Sequence, residues 1–81
     1  MIRLWLYIPA VRMRFEVRIP SSVSLYEVIP YLNQILEDEF TEGYIIPNDA
    51  WFLEENSGLR VSGTVTLSNQ NIEDGMCLYV Y

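Results

Sequence analysis

The chain contains no histidine, no lysine and a single cysteine, Cys77. Without histidine, the commonest general base and one of the commonest metal ligands are missing. A single cysteine cannot form an internal disulfide, which favours a reducing compartment such as the cytoplasm. Without lysine, no side chain can act as the acceptor of a lysine-linked modification. We therefore predict a protein that is not an enzyme, with no catalytic residue.

Glycine-rich loops and long apolar segments are also lacking. The four glycines stand singly, each where a turn is predicted, so the sequence contains no phosphate-binding loop. No apolar run approaches the roughly 18 residues that span a membrane. The amino terminus lacks the basic and apolar regions of a signal peptide. These features predict a single soluble domain over residues 1–81 in the cytoplasm, with no cofactor, no metal and no insertion into a membrane.

The charge is acidic and unevenly distributed. The net charge of −6 argues against nucleic-acid binding, because that affinity comes mainly from cations that neutralise phosphates. Four of the five basic residues are arginines within the first 18 residues, whereas Arg60 is the only cation after them. Any positively charged surface should therefore be built mainly from the start of the chain.

The first 18 residues alternate between apolar and polar side chains, which is typical of β-strands. Residues 2–8 and 11–18 are separated by Pro9-Ala10, so they are predicted to form a hairpin with one buried face. The apolar side of this hairpin holds Ile2, Leu4, Leu6, Ile8, Val11, Met13, Phe15 and Val17.

A helix is predicted to begin at Leu25. Ser24 and Glu27 have the spacing of a capping box, and Val23 and Val28 are placed to form a hydrophobic staple around it. Its apolar side would pack on the sheet. This side consists of Leu25, Val28, Ile29, Leu32, Ile35 and Leu36.

The helix is expected to end between Glu37 and Phe40, before Gly43, and to bend at Pro30 without breaking. Its end carries the acidic run Glu37-Asp38-Glu39, with Glu42 near. The spacing does not match a calcium-binding loop, which alternates its ligands and contains a central glycine. A solvent-exposed helix end is therefore preferred over a metal or partner site.

The last part of the chain contains short strands and an irregular loop. The loop after Ser62-Gly63 is expected to bury Leu67 and Ile72. Strands are predicted near residues 50–54, at residues 59–61 and from residue 76 onward. The order of two strands, a helix, two strands and a closing strand favours an α+β fold with the helix on one sheet face.

The closing segment, Thr66-Leu67-Ser68 followed by Asn71-Ile72 and then Gly75, resembles that of the β-grasp, or ubiquitin-like, fold. The resemblance implies a mixed sheet of four to five strands, with the first and last strands parallel neighbours and one helix on one face. Ubiquitin and the small sulfur carriers continue past the last strand into a tail that ends Gly-Gly. Because this chain ends at Tyr81, we expect neither conjugation nor sulfur transfer.

A narrower similarity, to the bacterial YukD and EsaB family, lies in the last 31 residues. It is carried by Trp51, Asn56, Val61, Ser62-Gly63, Leu67-Ser68, Ile72, Gly75 and Leu78. This resemblance implies a ubiquitin-like protein that is not conjugated and that has an accessory or regulatory part in bacterial type VII secretion. A ubiquitin-like domain on the cytoplasmic side of a secretion membrane component is a related possibility.

Strand parity places aromatic and arginine side chains together on the sheet face turned away from the helix. Tryptophan, tyrosine and arginine are the residues that dominate interaction hot spots. The candidate partner-binding residues are Arg3, Trp5, Tyr7, Arg12, Arg14, Tyr79 and Tyr81, with Glu16, Arg18 and Cys77 beside them. The alternative is that aromatic pairs and stacked arginines only stabilise an exposed sheet.

Cys77 would be reactive only beside a positive charge, which Arg3 or Arg12 is placed to supply. A passive cysteine in a strand is preferred.

The leading functional hypothesis is a protein–protein interaction module. The alternatives are a small subunit or domain of a larger complex, with self-association through the exposed face, and a modifier or sulfur carrier whose carboxyl-terminal tail is missing.

Overall fold

The computed structural model describes residues 1–39 and 43–81. The predicted end of the helix at Phe40 and the acidic Glu42 lie outside these ranges. The elements follow in the order β1 (Ile2–Ile8), β2 (Met13–Ile19), α1 (Leu25–Glu39), β3 (Phe52–Glu54), β4 (Arg60–Val61), a 3-10 helix (Leu67–Asn69) and β5 (Cys77–Val80).

The strands form one sheet in the order β2-β1-β5-β3-β4. β1 and β5 pair in parallel, whereas the other neighbours are antiparallel. The helix buries Leu25, Ile29, Leu32 and Leu36 in a core that also contains the inward side chains of the sheet. The predicted α+β fold, with a mixed sheet and one helix on one face, is confirmed.

The β1–β2 hairpin differs from the prediction at its turn. β2 begins at Met13, which pairs with Ile8, so Val11 and Arg12 belong to the turn and not to the strand. Arg12 has a φ of 54°, and its amide donates to the carbonyl of Pro9 at 3.2 Å. In this four-residue connection, Arg12 is the residue that adopts the left-handed conformation before β2 begins. The alternation in the sequence does not reveal that conformation.

The helix begins at Leu25 as predicted. The amide of Ser24 donates to the Glu27 carboxylate at 2.6 Å, and the amide of Glu27 donates to the Ser24 hydroxyl at 3.4 Å. These two bonds form the capping box. The helix continues through Pro30 without a break.

The Asn33 side chain fixes the chain that follows the helix. Asn33 accepts a hydrogen bond from the Ile46 amide at 2.7 Å and donates one to the Ile46 carbonyl at 3.1 Å. Ile46 and Ala50 are buried, and β3 begins at Phe52, two residues later than the predicted start at Ala50. The following loop buries Leu67 and Ile72, as predicted.

Candidate protein-interaction surface

The sheet face opposite α1 carries side chains from all five strands. The register places Trp5 between Glu16 on β2 and Cys77 on β5, and Tyr7 between Arg14 and Tyr79. We call this surface the open face and define it by Arg3, Trp5, Tyr7, Arg14, Glu16, Arg18, Trp51, Leu53, Arg60, Cys77, Tyr79 and Tyr81. None of these side chains belongs to the core against the helix.

Three tyrosines form a continuous ladder across the open face. The rings of Tyr7 and Tyr79 lie 5.3 Å apart between centroids, and those of Tyr79 and Tyr81 lie 6.4 Å apart. Both pairs are tilted, at 55° and 59°, which is a favourable arrangement for aromatic rings. Trp5 lies beside the ladder and is 36% exposed. The structure therefore brings together the four aromatic residues that the sequence assigned to this face.

The sequence reasoning missed part of the surface. Trp51 and Tyr81 exchange two backbone hydrogen bonds, at 3.0 and 2.8 Å, which extends the β3–β5 ladder. The guanidinium of Arg60 lies 3.8 Å from the centre of the Trp51 ring, a cation–π geometry. Leu53 lies opposite Arg60 on β4 and opposite Tyr79 on β5. In the sequence, the apolar Phe52 stands between Trp51 and Leu53. Because Phe52 is buried in the core, its two neighbours in the strand face the opposite side of the sheet.

Arg14 spans the open face from its edge. Its guanidinium lies 3.6 Å from the Glu55 carboxylate and 3.9 Å from the sulfur of Cys77. To reach them the side chain passes over β1 toward β5, because β2 is the edge strand. Arg14, and not Arg3 or Arg12 as the sequence suggested, is the cation beside Cys77.

The remaining arginines have separate local partners. The Arg3 guanidinium lies 4.0 Å from the carboxylate of Asp74, which also accepts a 2.7 Å hydrogen bond from the Arg3 amide. Arg18 lies 3.7 Å from Glu16 in the same strand. Arg12 lies in the hairpin turn, so the structure does not place it with the other candidates on the strands.

The Cys77 thiol is buried on the open face beneath these charges. Burial raises its pKa, the negative charge of Glu55 raises it further, and the Arg14 guanidinium opposes both effects without reversing them. A thiol with a raised pKa is mostly protonated at neutral pH and is a poor nucleophile. The geometry therefore favours a structural role for Cys77.

Two further observations limit the chemistry of the described part of the chain. In residues 1–39 and 43–81, no three acidic or cysteine side chains are placed to hold a metal ion. Over the same residues, no helix has the length and apolar character that crossing a bilayer requires. What the open face does offer is exposed aromatic area with arginines held in place beside it.

Known structures resemble this chain in fold. A structure of ATBAG1 in complex with HSP70 matches with a TM-score of 0.70 and 16% identity, over 100% of this chain and 40% of that one. The ubiquitin-like domain of an Arabidopsis thaliana protein matches with a TM-score of 0.66 and 15% identity, over 99% of this chain and 74% of that one. Ubiquitin of Caldiarchaeum subterraneum matches with a TM-score of 0.68 and 12% identity, over 98% and 89%. These similarities show the ubiquitin-like fold.

No protein with a curated description matches the chain. A family model does: it is described as "WXG100 protein secretion system (Wss), protein YukD", and it matches residues 6–80. That range begins within β1, at Leu6, and includes β2, the helix and the closing strand. The chain therefore belongs to the YukD family of ubiquitin-like proteins.

Proposed function

We propose that this chain is a non-catalytic binding module whose open face docks on a protein partner, as an accessory component of a WXG100, or type VII, secretion system. The observation that carries the proposal is the group of exposed aromatic side chains on that face. Trp5, Trp51 and Tyr81 are 36%, 52% and 54% exposed. The family description supports the secretion system as the setting.

Several residues of the open face are held by contacts within the chain. The backbone of Tyr81 is held by two hydrogen bonds to that of Trp51, and the Trp51 ring is covered on one side by Arg60. Arg14 is held by Glu55. Side chains that are already ordered lose less conformational entropy on binding, so more of the contact energy contributes to affinity.

The proposed partner is a protein and not a nucleic acid. Three of the arginines on the open face, Arg3, Arg14 and Arg18, each lie beside a carboxylate of this chain. Little uncompensated positive charge is left to neutralise phosphates, on which nucleic-acid affinity depends. A surface of aromatic rings with balanced charges suits a protein interface. We place the interaction in the cytoplasm, because the single cysteine cannot form an internal disulfide.

Photo-crosslinking in bacterial cells that contain the chain and a WXG100 secretion system tests this proposal. A photoreactive phenylalanine analogue would replace Tyr81 in one variant and Tyr31 in a matched control. Tyr31 lies on α1 and is 62% exposed, so it is as accessible as Tyr81 but on the helix side. We expect the Tyr81 position, and not the Tyr31 position, to crosslink to a component of the secretion system, identified by mass spectrometry.

Alanine substitutions supply the energetic test against the purified crosslinked component. Trp51→Ala and Trp5→Ala should each weaken binding by a factor of about 10 to 30, because a hot-spot residue costs about 2 kcal/mol when it is truncated. Tyr31→Ala should leave binding unchanged. Equal crosslinking from both positions, or unchanged affinity in the tryptophan variants, would show that the aromatic residues only stabilise the sheet.

A further inference from the structure

The strand β2 forms a free edge of the sheet. It is seven residues long, Met13–Ile19, and among the described residues it pairs only with β1. At the opposite edge, β4 has only two residues. A long edge strand with unpaired backbone groups is a template for pairing with another strand.

The hydrogen bonds of β1 show which backbone groups of β2 are unpaired. The Trp5 amide donates to the Met76 carbonyl at 2.8 Å, and the Arg3 carbonyl accepts from the Gly75 amide at 2.7 Å. The odd-numbered residues of β1 therefore direct their backbone groups toward β5 and away from β2. Because pairs alternate along an antiparallel ladder, the residues of β2 opposite Arg3, Trp5 and Tyr7 direct their amides and carbonyls to the free edge. These residues are Arg18, Glu16 and Arg14.

Apart from its charged side chains, β2 lacks the usual features that block edge pairing. Its sequence, MRFEVRI, contains no proline, no glycine and no lysine, and each of its residues pairs in unbroken register with one of β1, so it has no bulge. Outside the β1–β2 ladder, no hydrogen bond between described residues uses the backbone groups of Arg14, Glu16 or Arg18. The edge is therefore available along its whole length.

We propose that β2 pairs antiparallel with β2 of a second copy of this chain, about a twofold axis at Val17. The charges of the strand support this occupant, because Arg14, Glu16 and Arg18 alternate in sign along one side. Centring the pair on Val17 places Glu16 of each copy opposite Arg18 of the other. Both are residues whose backbone groups face the edge, so charge pairing and backbone hydrogen bonding coincide.

The other registers that bond the same backbone groups are less favourable. Centring on Glu16 places the two Glu16 side chains opposite each other and Arg14 opposite Arg18. Centring on Phe15 places Arg12 opposite Arg18, and Arg12 is in a left-handed turn conformation outside the strand. That register also needs Arg14 as the partner of Glu16, whereas Arg14 is already paired with Glu55. The register at Val17 leaves this pair intact and brings together Glu16 and Arg18, which already lie 3.7 Å apart within one strand.

The inward side of the edge supports the same register. Phe15 is only partly buried against the core of its own chain. Pairing about Val17 places it opposite Ile19 of the second copy, which covers apolar surface at the edge. The twofold axis is perpendicular to the sheet, so the two open faces become adjacent parts of one surface. The dimer does not depend on the proposed partner of the open face.

Two charge variants of the full chain test the pairing by analytical ultracentrifugation. Glu16→Arg alone and Arg18→Glu alone each place like charges opposite each other at two symmetric positions, so each should weaken the dimer on the order of tenfold. An equimolar mixture of the two variants should restore the wild-type affinity, because each arginine then lies opposite a glutamate. Thermal melts confirm that both variants fold, and Trp51→Ala should dimerise normally.

Hydrogen exchange locates the interface. The amides of Glu16 and Arg18 should exchange more slowly as the protein concentration rises, because both become hydrogen-bonded in the dimer. A wild-type chain that stays monomeric, a mixture that does not regain the dimer, or a dimer in which these amides remain unprotected would each overturn the proposal. The last outcome would indicate association through another surface, such as the open face.

Discussion

The guanidinium of Arg14 lies 3.6 Å from the carboxylate of Glu55, although two strands separate β2 from the end of β3. The pair links the edge of the sheet to the chain after β3, and the Cys77 thiol lies beneath it. The two side chains are 52% and 38% exposed. Water and salt therefore screen the attraction. The pair orients the Arg14 side chain but contributes little to the free energy of unfolding.

A double-mutant cycle with Arg14→Met and Glu55→Gln should measure a small coupling energy. We expect about 0.5 kcal/mol in the free energy of unfolding, determined by urea denaturation at low salt, because the pair is partly exposed. The coupling should decrease in high salt. The exposed pair Arg18 and Glu16 serves as the comparison, since it joins residues of one strand and should couple less. A coupling that is zero, or unaffected by salt, would contradict the pairing.

The Cys77 thiol should become more reactive when Glu55 loses its charge. Glu55 and burial both raise the pKa of the thiol, so Glu55→Gln should lower that pKa and speed alkylation by iodoacetamide at pH 8. In the wild-type chain, the Cys77 thiol has a higher pKa in the folded state than in the unfolded state. As pH rises, the thiol of the unfolded state therefore loses its proton at a lower pH than the thiol of the folded state. The free energy of unfolding should therefore fall as pH rises above the usual thiol pKa of about 8.5.

Glu54→Gln is the matched control for this measurement. Glu54 is the preceding residue, but its carboxylate accepts hydrogen bonds from the amides of Asn56 and Ser57 in the following turn. These bonds lower the pKa of Glu54 and do not involve the thiol. The alkylation rate of Cys77 should be the same in this variant as in the wild type. Equal rates in all three proteins would show that Glu55 does not influence the thiol.

The elements with strong local signals were predictable from the sequence. β1 and most of β2 follow from alternation, and the start of α1 follows from Ser24 and Glu27, because both signals depend only on neighbouring residues. The turn was not predictable in the same way. The left-handed Arg12 results from closing the hairpin, which shortens β2 by two residues relative to the prediction.

The open face was predictable in part, because only its longer strands show a period of two in the sequence. Trp5, Tyr7, Tyr79 and Tyr81 follow from parity and the order of strands. β3 and β4 have only three and two residues, which is too short for a period of two to appear. The stack of Arg60 on Trp51 was therefore missed. The contact between Arg14 and Cys77 depends on a long side chain that crosses β1, which sequence position does not indicate.

Asn33→Ala should destabilise the fold more than its neighbour Gln34→Ala. Asn33 bonds both the amide and the carbonyl of Ile46, whose side chain is 1% exposed. Removing the amide side chain leaves both backbone groups without these partners, which should cost about 1 to 3 kcal/mol in urea denaturation. Within the described ranges Gln34 donates to the exposed Asp38 alone, so its loss should cost less than about 0.5 kcal/mol. Equal costs would show that the Asn33 bonds contribute little.

Gly63 should not tolerate a methyl group, because the ring of Tyr26 occupies the space. A Cβ at this position would lie within 3 Å of three atoms of that ring. The backbone of Tyr26 is held against residue 63 by a hydrogen bond from the Tyr26 amide to the Gly63 carbonyl at 2.9 Å. The ring is held by a hydrogen bond from the Tyr26 hydroxyl to the Ala50 carbonyl at 3.3 Å. Gly63→Ala should therefore cost about 1 to 3 kcal/mol of the free energy of unfolding.

The mechanism is tested by removing the ring that the methyl group would contact. In a Tyr26→Ala background, the added cost of Gly63→Ala should fall well below its cost in the wild type, because the space is then open. Tyr26→Phe supplies a control: it keeps the ring and removes only the hydroxyl bond to Ala50, so Gly63→Ala should remain as costly there as in the wild type. Equal costs in all three backgrounds would mean that the penalty comes from the backbone of residue 63, whereas rescue only in Tyr26→Ala would assign it to the close approach of the ring.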